Sequence, residues 1–233
     1  MESKTVSIDL ERDELNRNLG GGLPNNSLLL IEGQDGAGKS IIVQRLAYGL
    51  LEHQKSVTYI SSELNTKGFL EQMASLDYDV KFYLLDGQLM FVPMFPFLGN
   101  TRLKENFLER LFNTKRIFDN EVIIFDTFSF LMVRDNLPQE KSFQIINLLK
   151  KLNNMNKTII FCIDPDHLNE KFLTLLRSVA DVYFQVEIKT FAGNIIRVIN
   201  VKRFKRPNDY IVDTIPFKVE PGRGLAIEIA SFS

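Results

Sequence analysis

Short apolar runs alternate with amphipathic stretches along most of the chain, and that alternation predicts a layered α/β fold. Residues 27–32, SLLLIE, are apolar, too few for a helix and bounded by turn residues on both sides, which is how a buried parallel strand reads. From Lys39 to His53 the apolar residues Ile42, Val43, Leu46, Leu50 and Leu51 recur at helical spacing. Val57–Ser61 reads as a second strand, Asn65–Leu76 as a helix and Lys81–Leu85 as a third strand. The stretch MFVPMFPFLGN (90–100) reads as an aromatic loop interrupted by proline, and 101–118 as a helix. Strands are predicted at EVIIFD (121–126) and KTIIFCI (157–163), with helices over 139–153 and 167–178. Ahead of the first strand, the charged segment DLERDELNRN (9–18) has the makings of a short helical turn, stopped by Gly20, Gly21 and Gly22 with Pro24 beyond.

The pattern changes at Ala180. Residues 182–189 and 195–203 are β-rich and separated by five loop residues, which predicts a hairpin, and further short strands follow near 215–219 and 225–229. Helix–strand alternation followed by antiparallel strands predicts a mostly parallel central sheet flanked by helices, with a β-rich carboxyl-terminal edge. With no internal repeat and no long linker, the expectation is one domain over residues 1–233.

Composition narrows the function classes. The 28 Lys and Arg nearly balance the 29 Asp and Glu, for a net charge of -1, which argues against a protein built mainly to grip nucleic acid. One cysteine, Cys162, rules out a disulfide framework, and with only His53 and His167 a zinc site is not expected. His53 near the end of a helix, His167 at a helix start and Cys162 inside an apolar strand all read as structural. The polar amino terminus does not resemble a secretory signal, and apolar runs fall well short of the roughly 20 residues a spanning helix needs, so the expected location is cytoplasmic. Among 19 phenylalanines, Phe91, Phe95 and Phe97 crowd the proline-broken stretch, where an exposed docking surface is the expectation.

The chemistry concentrates at Gly33-Gln34-Asp35-Gly36-Ala37-Gly38-Lys39-Ser40, a full G-x-x-x-x-G-K-[ST] match between a predicted strand and a predicted helix. Glycines there let successive backbone N–H groups point at phosphates, Lys39 adds positive charge, and Ser40 offers a hydroxyl to Mg²⁺. A carboxylate for the Mg²⁺ shell is expected at the end of a buried strand, and Asp126, closing VIIFD, fits. Asp164 holds the same position on a later strand, but Pro165 follows it and gives it a turn reading as well. Glu63, after VTYISS, either polarises a water aimed at the γ-phosphate or is a surface residue at a helix start. Lys202, Arg203, Lys205 and Arg206 form a basic cluster with three readings: a cation pair acting on a neighbouring subunit's phosphate, a contact to an anionic polymer, or an edge strand protected by charge.

The segments GGGLPNNSLLLIEGQDGAGKS, VTYISSE and VIIFDT together resemble the RecA/RadA/KaiC-type P-loop ATPases, and the opening DELNRNLGGGLP resembles the archaeal flagellar (archaellum) accessory ATPases most closely. The resemblance implies a RecA-like core that binds ATP and Mg²⁺, often at the subunit boundaries of a homo-oligomeric ring. Its implied partners are the archaellum motor ATPase and the membrane platform protein, with no nucleic acid, at a cytoplasmic site peripheral to the motor. Glu63 matches the family's water-activating glutamate. Lys202 and Lys205 fall in a stretch resembling the K-x-R element that enters the next subunit's site. RecA-type enzymes place Gln or Asn where this chain has Cys162-Ile163-Asp164-Pro165, a departure that points to slow or absent turnover with nucleotide binding as the main signal. A KaiC-like ATPase or autokinase is the alternative, and a RadA-like DNA-dependent ATPase stands behind both.

Overall fold

The protein is described by a computed structural model covering residues 5–94, 111, 113–134, 139–191 and 194–228. Its elements are β1 (Thr5–Val6), α1 (Leu15–Asn18), β2 (Leu23–Pro24), β3 (Leu28–Glu32), α2 (Lys39–Glu52), β4 (Val57–Ser61), α3 (Thr66–Ser75), α4 (Lys81–Leu85) and β5 (Leu89–Pro93). After a 3₁₀ turn at Lys115–Phe118 come β6 (Val122–Asp126), α5 (Phe128–Arg134), α6 (Gln139–Asn154) and β7 (Thr158–Ile163). A 3₁₀ turn at Pro165–His167 then leads to α7 (Glu170–Val179), β8 (Val182–Phe191), β9 (Asn194–Phe204), β10 (Thr214–Glu220) and β11 (Gly224–Ile227).

Nine strands form one sheet in the order β11-β10-β9-β8-β3-β7-β6-β4-β5. The six from β8 to β5 are mutually parallel, and β9, β10 and β11 continue the sheet in antiparallel pairs. Both faces of the parallel part are covered. On β3, Leu29 and Ile31 join the core beneath α2 and α3, while Leu28 and Leu30 face the core formed with α5, α6 and α7. That two-sided burial explains the unbroken apolar runs, because with a period of two each strand feeds both cores. Helix starts are fixed locally: Asn65 Oδ1 accepts from Gly68 N at 2.8 Å and Asn169 Oδ1 from Phe172 N at 2.9 Å, caps worth about 1 kcal/mol each.

The amino-terminal segment pairs β1 with β2 in a small separate sheet and is pinned to α2. Arg45, fully buried, donates from Nε to Asp13 Oδ2 at 2.5 Å, from Nη2 to Asp13 Oδ1 at 2.8 Å and from Nη1 to the Ile8 carbonyl at 2.9 Å. Glycine is needed at position 22, where φ is +131° and a Cβ would fall inside the van der Waals radius of the Val6 carbonyl oxygen across the β1–β2 pair.

Two expectations are corrected. Lys81–Leu85 is a short helix rather than a strand, and the edge strand is Leu89–Pro93, inside the stretch read as a loop. Phe91 does not project into solvent. It is half-buried and stacks on the fully buried Phe69, ring centroids 4.1 Å apart. Phe95 and Phe97, and most of the helix expected over 101–118, lie outside the described residues. No helix among the described residues is long and apolar enough to cross a membrane.

Candidate functional site

The site lies at the carboxyl ends of the parallel strands, where open α/β sheets place their ligands. β3 delivers Gly33 into the loop 33–40, and the register sets Ser61 of β4 beside Asp126 of β6, so the Glu63 turn and the Asp126 carboxylate open on the same edge. Gly38, at φ +101°, turns the chain into α2, and a Cβ there would meet the Arg197 stem and the Phe217 ring at 3.1 Å. α2 starts without a side-chain cap. Among the described residues, no protein acceptor takes the N–H groups of Gly38, Lys39 or Ser40. Three such donors at the positive end of a fourteen-residue helix form an anion site.

Around this loop the polar groups converge. Lys39 is buried and donates from Nζ to the Gln34 carbonyl at 2.8 Å, with no carboxylate in ion-pair range among the described residues. Ser40 Oγ donates to Asp126 Oδ1 at 2.9 Å, and Tyr59 donates its hydroxyl to Asp126 Oδ2 at 2.7 Å. Burial raises the Asp126 carboxyl above the ordinary aspartate range, against the pull of the Tyr59 and Ser40 hydrogen bonds and the Lys39 charge. Burial, then the Asp126 charge, likewise raises the neighbouring Cys162 thiol.

Glu63 lies two residues beyond β4. The residue as a whole is exposed, but its carboxyl group crowds the site, accepting from Thr127 Oγ1 at 3.3 Å. Burial of that end, followed by the Asp126 charge, raises its pKa, opposed by the Thr127 hydrogen bond. Asp164 faces a different task. It is buried, its Oδ1 caps the 3₁₀ turn by accepting from Asp166 N at 3.0 Å, and its own N–H donates to Ser129 Oγ at 2.9 Å. His53 closes α2, with Nδ1 2.9 Å from the Gly49 carbonyl, and His167 sits in the 3₁₀ turn.

A Mg²⁺ ion fits the donor set. Among the described residues no group of three or more His, Cys, Asp or Glu is placed to hold a metal unaided, so a cation here would draw on Ser40, Asp126 and phosphate oxygens, the mixed shell Mg²⁺ favours. Beside the loop a cavity of about 350 Å³ is lined by Gly33, Gln34, Ala37, Pro165, Val186 and Ile188.

The basic cluster is not at this edge. β9 runs antiparallel to β8, with Phe204 opposite Val182 at the beginning of β8 and Arg197 opposite Ile188 toward its end. Lys202 and Lys205 therefore sit at the opposite edge of the sheet from the chain's own loop. Lys202 is exposed, Lys205 pairs with Asp181 at 3.1 Å, and Arg206 rims a separate cleft of about 780 Å³ there. Three residues at the site escaped the sequence reading: Tyr59, Thr127 and Arg197, whose Nε lies 3.4 Å from the Gly36 carbonyl. Tyr59 left a trace, as an aromatic hydroxyl in a strand that is otherwise small and aliphatic. Arg197 left none, because its place beside the loop follows from the β8–β9 register.

Known proteins share this architecture. The family model described as "ATPase: KaiC" matches residues 12–230. The chain is 37% identical to the archaeal flagellar ATP-binding protein FlaH of Methanocaldococcus jannaschii over 96% of each chain. It superposes on the crystal structure of the flagellar accessory protein FlaH from that organism with a TM-score of 0.92 at 36% identity, covering 97% of this chain and all of the other. A KaiC-like protein of Pyrococcus horikoshii, 18% identical, shares the fold with a TM-score of 0.74 over 96% of this chain and 98% of the other. By the family model that matches nearly its whole length and by its identity to FlaH over 96% of each chain, the chain belongs to the KaiC-type ATPases and, among them, to the archaeal flagellar FlaH family.

Proposed function

We propose that this chain is an ATP-binding, RecA-like regulatory subunit of the archaellum motor, whose nucleotide state controls its association with the motor ATPase. The observation that carries the binding half is the loop itself: N–H donors at the start of α2 that no acceptor among the described residues takes, beside a buried lysine that bonds a main-chain carbonyl. A triphosphate supplies acceptors for those donors and a counter-charge for Lys39. Gly33, Gln34, Asp35, Gly36 and Ala37 shape the loop, Gly38 turns it into the helix, and Ser40 with Asp126 holds the Mg²⁺ that the nucleotide brings. That ion, when bound, neutralises phosphate charge. Loss of the γ-phosphate would then release the contacts that order neighbouring segments, the usual logic of such switches.

The regulatory half draws on family membership and on the placement of the basic cluster. Lys202, exposed, and Lys205, once released from Asp181, would meet the nucleotide of a second copy, as a ring requires, both being remote from the chain's own loop. The motor ATPase and the membrane platform protein are the proposed partners, with the subunit peripheral to the membrane. Asp164, committed to capping a turn, leaves no amide at the position where RecA-type enzymes sense the γ-phosphate, which favours retention of ATP over rapid turnover.

A second reading, slow hydrolysis or autophosphorylation, rests on Glu63, whose raised carboxyl beside Thr127 suits a general base. Equilibrium ATP binding measured beside phosphate release separates the two. Submicromolar binding with negligible release, unchanged in Glu63→Gln, is the outcome for a binding subunit. Release abolished by Glu63→Gln is the outcome for an enzyme. Lys39→Ala should weaken ATP binding by about 10- to 100-fold, the loss of one charge-assisted contact, and an unchanged affinity would refute the loop assignment.

A further inference from the structure

Beneath the metal-side carboxylate lies a polar chain that the apolar core has no use for. Tyr59 is fully buried on the sheet face under α2, where a phenylalanine would satisfy packing. Its hydroxyl reaches Asp126 Oδ2 at 2.7 Å, while Ser40 reaches Oδ1 at 2.9 Å from the other side. The two carboxylate oxygens are thus assigned to different neighbours. Oδ1 opens toward the phosphate loop, and Oδ2 is held in the protein interior. One turn along α2 from Ser40, Gln44 is 1% exposed, and its side chain has a weak influence on the Tyr59 hydroxyl, behind burial and the Asp126 carboxylate. Its own Oε1 has no hydrogen-bond partner among the described residues. An unmatched buried amide oxygen is costly, so a core selected for stability alone would carry leucine or methionine at this point.

We infer that Tyr59 is a positioning residue for the divalent cation: it fixes Asp126 Oδ2 so that Oδ1, the oxygen shared with Ser40, is the one presented to the metal, and Gln44 orients the Tyr59 hydroxyl for that contact. Tyr59 acts through Asp126, the carboxylate its hydroxyl meets. Hydrogen bonds to the oxygens of a ligating carboxylate are the outer shell that sets metal affinity, with losses of about 10–100-fold when such partners are removed. The inference rests on the Mg²⁺–ATP reading above and adds to it the residues that tune the metal response.

The test is a Mg²⁺ titration of fluorescent ATP-analogue binding to the full chain, with a chelator arm as the metal-free reference. For Tyr59→Phe the chelator-arm affinity should stay within about twofold of wild type, while the Mg²⁺ concentration for half-maximal enhancement rises about tenfold. A purely structural tyrosine would instead lower affinity equally in both arms, and that result, or a Mg²⁺ curve superposable on wild type, overturns the inference. Should Tyr59→Phe fail to fold, Gln44→Leu carries the test. It removes the unmatched oxygen and so should fold at least as well, yet it frees the Tyr59 hydroxyl to turn away, moving the Mg²⁺ midpoint about two- to threefold, a smaller step than loss of the hydroxyl itself. A wild-type midpoint in Gln44→Leu would overturn the chain of contacts. A wild-type protein indifferent to Mg²⁺ would instead overturn the underlying Mg²⁺ reading, and the role of Tyr59 with it.

Discussion

Replacing Asp13 by alanine should be the most damaging single change at a distance from the phosphate loop. Asp13 and Arg45 bury their side chains completely, and the guanidinium spends two donors on the carboxylate and a third on the Ile8 carbonyl. Asp13→Ala leaves that guanidinium in the interior without a counter-charge. Breaking a buried pair in this way costs about 3–5 kcal/mol, mostly because the remaining charge is uncompensated. At about 2–4 °C per kcal/mol for a chain of this size, the melting temperature should fall by about 6–20 °C in scans without nucleotide. The paired replacement Asp13→Leu with Arg45→Met removes both charges and should recover most of the loss, since apolar substitutes for buried ion pairs are often neutral. An Asp13→Ala protein melting within about 2 °C of wild type would refute the placement of this pair in the core.

Asp126→Asn should shift the Mg²⁺ requirement for nucleotide binding by about tenfold or more while leaving metal-free affinity nearly unchanged, and equal loss in both conditions would contradict the metal role. If Glu63 does act as a base, phosphate release should decline on acidification at a higher pH than an exposed glutamate would give, because burial and the Asp126 charge raise its pKa and only the ionised form accepts a proton. A flat profile through that range, or one unaltered in Glu63→Gln, would dismiss the base.

What the sequence made legible was local. The run SLLLIE, the glycines of the loop and the helical spacing after Lys39 each depend on residues a few positions apart, so strand, loop and helix were all found. Asp126 is legible for the same reason, as the polar stop on VIIFD, and β6 ends at it. The errors arose where short apolar runs carry no periodicity. KFYLL is five residues, too few to separate one helical turn from a strand. LMFVP contains a proline, yet Pro93 is the last residue of what is the edge strand among the described residues, where it interrupts no described ladder on the outer side. Phe91 was misplaced along with that strand, and its stacking on Phe69 depends on α3 crossing the edge. Tyr59, Thr127 and Arg197 depend on strand order, since Ser61 meets Asp126 only because β4 lies next to β6. The Asp13–Arg45 pair joins residues 32 positions apart across an interior contact, which no local pattern announces.

The central claim, that nucleotide state governs association, is tested most directly by the mass of the chain in solution with its motor ATPase, measured with Mg²⁺–ATP and again after nucleotide removal. The account predicts a complex whose population changes between the two conditions for wild type and does not change for Lys39→Ala. A complex equally populated with and without nucleotide, in a protein shown to bind ATP, would contradict it.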